Sequence, residues 1–212
     1  MDQRTKKILA ILEKEYGDLK PGLTYESPFQ LLIAVILSAQ CTDVRVNKVT
    51  SRLFAKYKTP EDFVKLEQAE LEEEIRECGL FRNKAKNIRE TCAILVEKYG
   101  GQVPSAREEL MSLPGVGRKS ANVILSQAFG QDALAVDTHV FRVSHRLGLA
   151  RGKTPLATER ELQQVIPRSQ WSQAHLWLIW HGRQVCRAQR PRCDECPLQE
   201  YCPAGQAEEE GA

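Results

Sequence analysis

The stretch "LPGVGRKSANVIL", residues 113–125, places a tight turn directly before a helical segment. Glycine permits positive φ and close approach by another backbone, so Gly115 and Gly117 predict a hairpin between two helices. Outward-facing amides at the start of the second helix favour an anion, and this arrangement suits a phosphodiester. The alternative is a tight turn between helices that binds nothing.

The start of this second helix carries two cations, Arg118 and Lys119. The positive end of the helix dipole disfavours cations at that place. We therefore expect a partly desolvated Lys119 beside Arg118 to be neutral in part, and able to form a Schiff base as a nucleophile. The alternative is a solvated lysine that meets phosphate as a point charge.

A carboxylate follows in "AVDTHVFRVSHRLG", residues 135–148. Asp137 precedes a periodic segment, which predicts an N-cap for the helix through Arg146. Cleavage of a glycosidic bond passes through an oxocarbenium-like state that needs a nearby carboxylate, so Asp137 is also a candidate to stabilise such a cation.

Helical signals dominate the rest of the chain. Three segments pair an N-cap residue with a proline at the first helical position, namely Ser27–Pro28, Thr59–Pro60 and Thr154–Pro155. Ser105 and Glu108 predict a capping box, and the apolar stretch 31–37 predicts core. Because no segment alternates as a strand does, we expect an all-α chain of around ten short helices.

Length and composition limit the possible folds and functions only loosely. The chain has 212 residues, 42% of them hydrophobic, which suffices for one large domain or two small ones. No apolar run is long enough for a transmembrane helix, and the charged N-terminal stripe is not typical of a signal peptide. The net charge of +2 permits nucleic-acid binding without arguing for it.

The seven cysteines are spread unevenly. Cys41, Cys78 and Cys92 stand singly and are interpreted as small buried hydrophobes. The other four form a C-x6-C-x2-C-x5-C pattern: Cys186, Cys193, Cys196 and Cys202. This tight cluster predicts a metal site in a reducing compartment, and its spacing leaves both zinc and an iron–sulfur cluster open.

Arginines crowd the same C-terminal segment, at Arg183, Arg187, Arg190 and Arg192. One interpretation is that they balance the anionic thiolates. The other is that they hold nucleic-acid phosphates on a loop that the metal makes rigid.

Together, "LPGVGRKSA", "VDTHVFRV", "LLIAVILSAQCTD" and the four-cysteine tail resemble the endonuclease III family, bacterial DNA glycosylase/AP lyases of the helix–hairpin–helix superfamily. The resemblance extends from about residue 24 to residue 202. It implies that Lys119 attacks the sugar C1′, that Asp137 is the catalytic aspartate, and that the four cysteines ligate a [4Fe–4S] cluster.

The resemblance also implies contacts with DNA. Gln40 would fill the gap left by a flipped nucleotide, and Leu80 would wedge into the duplex. The further candidate contacts are Gly115, Gly117, Arg118, His139, Arg187 and Arg190.

The implied fold is two α-helical lobes, a six-helix domain at 22–132 and a discontinuous cluster domain at 1–21 and 133–212. The implied function is removal of oxidised pyrimidines in base excision repair, with β-elimination 3′ to the abasic site. We expect damaged or abasic duplex DNA as partner, no membrane, a monomer, and a cytoplasmic place on the bacterial nucleoid.

Other functions remain open at this point. The related adenine glycosylases carry a glutamate where Ala34 stands and lack a lysine at position 119, which argues against that activity here. A non-catalytic DNA-binding or redox-sensing protein would make Lys119 and Asp137 dispensable. Electron transfer through the cluster alone is a third alternative.

Overall fold

The computed structural model describes residues 1–17 and 19–209, and the secondary structure of this part is helical throughout. The all-α prediction is therefore confirmed. Short 3₁₀ turns lie at 76–78, 168–170, 193–195 and 199–201. The α-helices in the described residues are α1 Gln3–Tyr16, α2 Pro28–Leu37, α3 Asp43–Lys56, α4 Pro60–Lys65, α5 Gln68–Glu74, α6 Phe81–Tyr99, α7 Arg107–Met111, α8 Arg118–Phe129, α9 Thr138–Arg146, α10 Pro155–Val165, α11 Trp171–Gln184 and α12 Pro203–Glu209.

The chain divides into two compact units. The first joins Met1–Lys20 to Asp132–Ala212, and the second is Pro21–Gln131. The second unit is one continuous piece of chain, while the first is assembled from both ends. We call them the terminal unit and the central unit.

The central unit is built around α2. Every residue from Phe29 to Leu37 except Gln30 is buried, and a helix that is apolar on all sides belongs inside a core. Ser27 caps it by accepting from the Gln30 amide at 3.2 Å, with Pro28 at the first helical position as predicted. Helices α3, α6 and α8 pack around α2, so the hairpin helix α8 rests directly on the core.

Seven α-helices lie in the central unit, all of whose residues are described. Helices α4 and α5 are short and consecutive, because Leu66 and Glu67 take extended backbone between them. The resemblance implies six helices for this domain, and the count is six only if α4 and α5 are taken as one interrupted segment.

The predicted capping box at Ser105 is wrong. Helix α7 begins at Arg107, and its N-cap, Ala106, makes no side-chain cap hydrogen bond. The Ser105 carbonyl instead accepts from the Gln131 side chain at 2.8 Å. This tertiary contact holds Ser105 outside the helix.

The terminal unit packs α11 against α1 and α9. Its buried core draws from both ends of the chain, with Ile8 and Leu12 from α1, Val140 and Val143 from α9, and Leu178 from α11. The Trp177 indole donates to the Gly17 carbonyl at 2.8 Å, which fastens the end of α1 to α11. Among the described residues, none of the helices combines the length and apolar character that a membrane span requires.

Candidate functional site

The hairpin turn between α7 and α8 is anchored by its apolar side chains and leaves its glycines outside. Leu113 and Val116 are buried at 2% and 5% exposure, whereas Gly115 and Gly117 are exposed. The Val116 amide donates to the Leu113 carbonyl at 3.1 Å and closes the turn. The predicted hairpin is present.

Helix α6 supports this turn from beneath, which the sequence did not reveal. The buried Thr91 hydroxyl donates to the Pro114 carbonyl at 3.1 Å. Gly115 has φ +80°, and a Cβ there would lie 3.0 Å from Nδ2 of Asn87. Gly115 is therefore required both by its backbone conformation and by the closeness of α6.

A second contact joins the two hairpin helices themselves. Nε of Arg107 in α7 donates to Oδ1 of Asn122 in α8 at 2.9 Å, and Asn122 is fully buried. Because a buried amide needs its hydrogen-bond partners, this contact helps to fix the angle between α7 and α8.

The start of α8 has no side-chain cap. Gly117 is the N-cap residue, with extended backbone at φ −89° and ψ 178°. Arg118 is half-buried and Lys119 is exposed. The partial desolvation expected for Lys119 is therefore wrong, because its side chain leaves the first turn of α8 toward solvent.

Gln40 and Leu80 share an unusual backbone. Both take left-handed conformations, with φ of 52° and 47°, and both are exposed, Leu80 to 57%. This conformation costs a non-glycine residue roughly 1–2 kcal/mol, so the surrounding fold holds it in place. Leu80 is also the N-cap of α6, the helix whose Thr91 supports the hairpin.

Asp137 is the N-cap of α9, as predicted. Its Oδ1 accepts from the Val140 amide at 2.7 Å, and the residue is half-buried. Two residues on, Nδ1 of His139 lies 3.2 Å from the guanidinium of Arg142, which is about one helical turn further along. The buried segment 133–136, which lies outside any helix, leads the chain to this point.

The four C-terminal cysteines all line one cavity of the terminal unit, together with Arg146 and His181. A single tetrahedral zinc ion needs its sulfur ligands about 2.3 Å from one point. Within residues 1–17 and 19–209, no group of three or more His, Cys, Asp or Glu side chains is spaced to hold a single ion. Four thiols around one cavity are the ligand set that a four-cysteine iron–sulfur cluster requires.

A hydrogen-bonded chain leads to one of these sulfurs. Burial lowers the pKa of His181 to about 4 and raises the pKa of Tyr16 to about 12, so both are neutral. The Tyr16 hydroxyl lies 3.0 Å from Nδ1 of His181, and Nε2 lies 3.6 Å from Sγ of Cys196. In the tautomer that carries its proton on Nε2, the Tyr16 hydroxyl donates to Nδ1 and the Nε2 proton is directed at the sulfur, which suits an anionic ligand.

Arginines on α9 and α1 hold the cysteine loop by its carbonyls, and sequence reasoning missed these contacts. Arg142 donates to the carbonyls of Gly182 at 2.9 Å and Cys186 at 3.0 Å. Arg146 lies 3.4 Å from Sγ of Cys186 and donates to the Arg187 carbonyl at 2.6 Å. Arg4 donates to the Tyr201 carbonyl at 2.7 Å. The i, i+4 spacing of Arg142 and Arg146 was the available signal.

The arginines singled out from the sequence are exposed instead. Arg192 pairs with Glu195, and Arg183 stacks on the Trp180 ring. Arg187 and Arg190 lie on the surface of the loop, Arg190 with a left-handed φ of 50°. It is Arg146 that lies close to a cysteine sulfur. Arg187 and Arg190 remain candidates to bind DNA phosphates.

The structure thus groups the predicted residues by unit. The central unit carries Gln40, Leu80, Gly115, Gly117, Arg118 and Lys119. The terminal unit carries Asp137, His139, Arg187, Arg190 and the four cysteines.

Two protein families match this chain. The HhH-GPD superfamily of base excision DNA repair proteins matches residues 33–168. The iron-sulfur binding domain of endonuclease III matches residues 186–202, the span from the first to the last of the clustered cysteines.

Individual proteins agree with these families. Endonuclease III of Bacillus subtilis is 52% identical over 206 residues, covering 95% of this chain and 94% of the relative. Endonuclease III of Escherichia coli is 47% identical over 196 residues, covering 92% and 93%. A solved endonuclease III–DNA non-covalent complex has a TM-score of 0.93 at 50% identity, covering 99% of this chain and all of the other. A trapped endonuclease III–DNA covalent intermediate has a TM-score of 0.92, with the same identity and coverage.

Proposed function

Since the chain belongs to the endonuclease III family within the HhH-GPD superfamily of base excision DNA repair proteins, we propose that it removes oxidised pyrimidines from duplex DNA through Lys119 and Asp137. It is a DNA glycosylase with AP lyase activity, and it binds DNA. The observation that carries the residue assignment is the place of Lys119. Its exposed amine lies on the first turn of α8, a helix that begins at Gly117 without a side-chain cap.

DNA binding begins with the phosphate backbone. The exposed glycines of the hairpin allow a phosphodiester to approach the amides of Gly115 and Gly117. Arg187 and Arg190 add positive charge on the cysteine loop. Gln40 and Leu80 then occupy space in the duplex as the damaged nucleoside turns out of the stack, which offsets part of the unstacking cost.

In the glycosylase step, Nζ of Lys119 gives up a proton and its lone pair attacks C1′ of the damaged nucleotide. A bond forms between Nζ and C1′, and the bond from C1′ to the base breaks, with its electron pair leaving on the base. Positive charge develops on the sugar, and the Asp137 carboxylate stabilises it. An N-cap carboxylate suits this role, since the helix N-terminus favours a negative charge at that place.

In the lyase step, opening of the sugar ring gives a protonated imine between Nζ of Lys119 and C1′. The imine withdraws electrons and acidifies the C2′ proton. Loss of that proton breaks the C3′–O3′ bond, and the phosphate leaves on the 3′ side. Water then hydrolyses the imine and frees the lysine.

Cys186, Cys193, Cys196 and Cys202 hold the [4Fe–4S] cluster of the family. The group supplies a cross-link that fixes the loop 186–202, and the arginines of α9 hold the same loop by its carbonyls. The loop is thereby held as a rigid platform for Arg187 and Arg190.

Adenine excision is the related activity that the chain argues against. Adenine glycosylases carry a glutamate at the position that Ala34 occupies in this chain. Ala34 is fully buried in α2. An alanine there offers no carboxylate for that reaction.

We further infer that the protein is a monomer and that it acts on nucleoid DNA in the cytoplasm. Seven cysteines, none of them in a disulfide, are typical of a reducing compartment. Sedimentation of the protein alone and on a lesion duplex tests the monomer, and a dimer in either sample would overturn it.

A panel of duplexes tests the proposed function. The holoprotein is incubated with DNA bearing thymine glycol, uracil, 8-oxoguanine opposite adenine, or an abasic site, and strand scission is scored. We expect scission at thymine glycol and at the abasic site only. An intact abasic duplex, or excision of adenine opposite 8-oxoguanine, would overturn the assignment.

A further inference from the structure

Two cysteines that the proposed reaction does not use lie against each other in the central unit. Cys41 is half-buried in the turn before α3, and Cys78 is 1% exposed at the end of the 3₁₀ turn 76–78. Besides burial, interaction with the Cys41 side chain raises the pKa of the Cys78 thiol, so the two side chains lie close together. Both are free thiols.

The fold holds this pair in place. The 3₁₀ turn packs against α3, and Glu77 in that turn pairs with Lys48 at 3.1 Å and with Arg52 at 2.7 Å, both on α3. Each cysteine amide also closes its own turn, to the carbonyls of Ser38 and Ile75. The two thiols therefore meet because of how their segments are built.

A buried cation lies beside both thiols. Lys84 is 4% exposed, and its Nζ donates to the Cys78 carbonyl at 2.6 Å. Burial lowers the pKa of Lys84, while the thiols of Cys41 and Cys78 act in the opposite direction. The positive charge of Lys84 lowers the pKa of the Cys78 thiol, but burial raises it by more.

The two thiols differ in access and chemistry. Burial raises the pKa of the Cys78 thiol to about 12, so this group stays protonated and hidden from solvent. Cys41 is the more exposed of the two. An oxidant in solution therefore meets Cys41 first, with Cys78 in position to resolve the product.

The segments that carry the thiols also carry the two candidate DNA-inserting residues. Gln40 directly precedes Cys41, and Leu80 follows Cys78 by two residues. Both are the left-handed, exposed residues described above. A bond between the thiols would thus join the two segments that the proposed function places in the duplex.

We propose that Cys41 and Cys78 form a reversible thiol–disulfide site that tethers the Gln40 and Leu80 segments and slows lesion recognition when oxidised. A peroxide oxidises the Cys41 thiol to a sulfenic acid and is reduced to water. The Cys78 thiol then attacks that sulfur, a disulfide forms, and a second water leaves. A dithiol reductant returns both thiols.

The effect on repair rests on the proposed function of Gln40 and Leu80. Insertion into a duplex requires both segments to adjust to DNA, and a covalent tether removes part of that freedom. We expect the oxidised protein to cleave a thymine glycol duplex several-fold more slowly, with recovery after reduction.

Peptide mapping after limited hydrogen peroxide and thiol alkylation tests the site without DNA. The holoprotein should yield a disulfide-linked pair of peptides containing Cys41 and Cys78, and the pair should disappear after reduction. Cys41→Ser and Cys78→Ser should each abolish it, with Cys78→Ala as a second variant at the buried position. Cys92→Ser removes a buried thiol outside the pair and should leave the linked peptides unchanged.

The cleavage rate of the same samples tests the tether, with the iron content checked so that cluster damage is not mistaken for it. A peroxide-dependent, reductant-reversible loss of rate in the parent protein, and its absence in Cys78→Ser, supports the proposal. Absence of the linked peptides overturns the site, and linked peptides without a rate change overturn the tether. If Leu80→Ala leaves the rate of the reduced protein unchanged, the role assigned to Leu80 fails, whatever the mapping gives.

Discussion

Helices α8 and α9 begin in opposite ways. Helix α8 starts at Gly117 with no side-chain cap, and its first turn holds the cations Arg118 and Lys119. Helix α9 starts at Asp137, whose carboxylate accepts from the Val140 amide at 2.7 Å. The positive N-terminal end of α8 has no acidic side chain in its first turn or at its cap. At α9 the Asp137 carboxylate supplies the negative charge.

The difference separates two kinds of functional residue. Asp137 follows the ordinary rule for a helix start, so its cap role alone would account for it. Lys119 goes against the rule for helix dipoles, so its place needs another explanation. A helix start that lacks a cap and carries cations is suited to an external anion, and we propose that this anion is a DNA phosphate.

Asp137→Asn removes the negative charge of residue 137 but keeps a side chain that can cap α9. It should have the largest effect on cleavage. Asparagine caps a helix about as well as aspartate, so thermal unfolding should be unchanged. Because the negative charge that stabilises the sugar cation is lost, single-turnover cleavage of a thymine glycol duplex should fall by about 100-fold or more. A variant with normal cleavage would leave Asp137 as a cap only.

Gly115→Ala tests the backbone of the turn. A left-handed alanine costs roughly 1–2 kcal/mol, and its Cβ would lie 3.0 Å from Nδ2 of Asn87. We expect both lower stability and weaker binding to an abasic-analogue duplex, measured by unfolding and by fluorescence anisotropy. Gly130→Ala is the matched control, since Gly130 has φ +61° at the end of α8 with nothing near its Cβ. It should lose stability and keep DNA affinity.

Gly117→Ser converts the start of α8 to the α9 type. The backbone at Gly117 is extended and a Cβ there meets no atom within 4 Å, so serine fits. Its hydroxyl would cap the helix and raise stability by about 1 kcal/mol. The same hydroxyl would occupy amides that we assign to phosphate, so DNA affinity should fall several-fold. Higher stability with unchanged affinity would refute the anion site.

Thr91→Val should have the smallest effect. It removes the hydrogen bond to the Pro114 carbonyl and costs about 1 kcal/mol of unfolding free energy. Because that bond positions the hairpin, DNA affinity should weaken slightly as well. Thr50→Val removes a hydrogen bond to the Asn47 carbonyl inside α3 and serves as the control. If both variants bind DNA equally well, α6 does not position the turn.

The sequence predicted features that depend on local chemistry. The caps at Ser27, Thr59 and Thr154 form as expected, because each needs only its own first turn. The buried stretch 31–37 is also confirmed, since a helix without a polar face has one possible place.

Features that depend on tertiary contacts could not be predicted from the sequence. The support of the hairpin by Thr91, and the arginine contacts that hold the cysteine loop, join residues far apart in sequence. The left-handed backbone of Gln40 and Leu80 has no residue signature, because glycine would be the expected choice there. The failure of the Ser105 capping box also accompanies a tertiary contact, in which the Gln131 side chain donates to the Ser105 carbonyl.

The central claim is that Lys119 forms the covalent bond to DNA, and borohydride reduction on an abasic duplex tests it most directly. Reduction should trap a protein–DNA adduct, and digestion of that adduct should place the modification on residue 119. Lys119→Gln should bind the duplex and give no trapped adduct, while Lys153→Gln, an exposed lysine outside the hairpin, should trap normally. A trapped adduct in Lys119→Gln, or a modification mapped to another amine, would contradict the account.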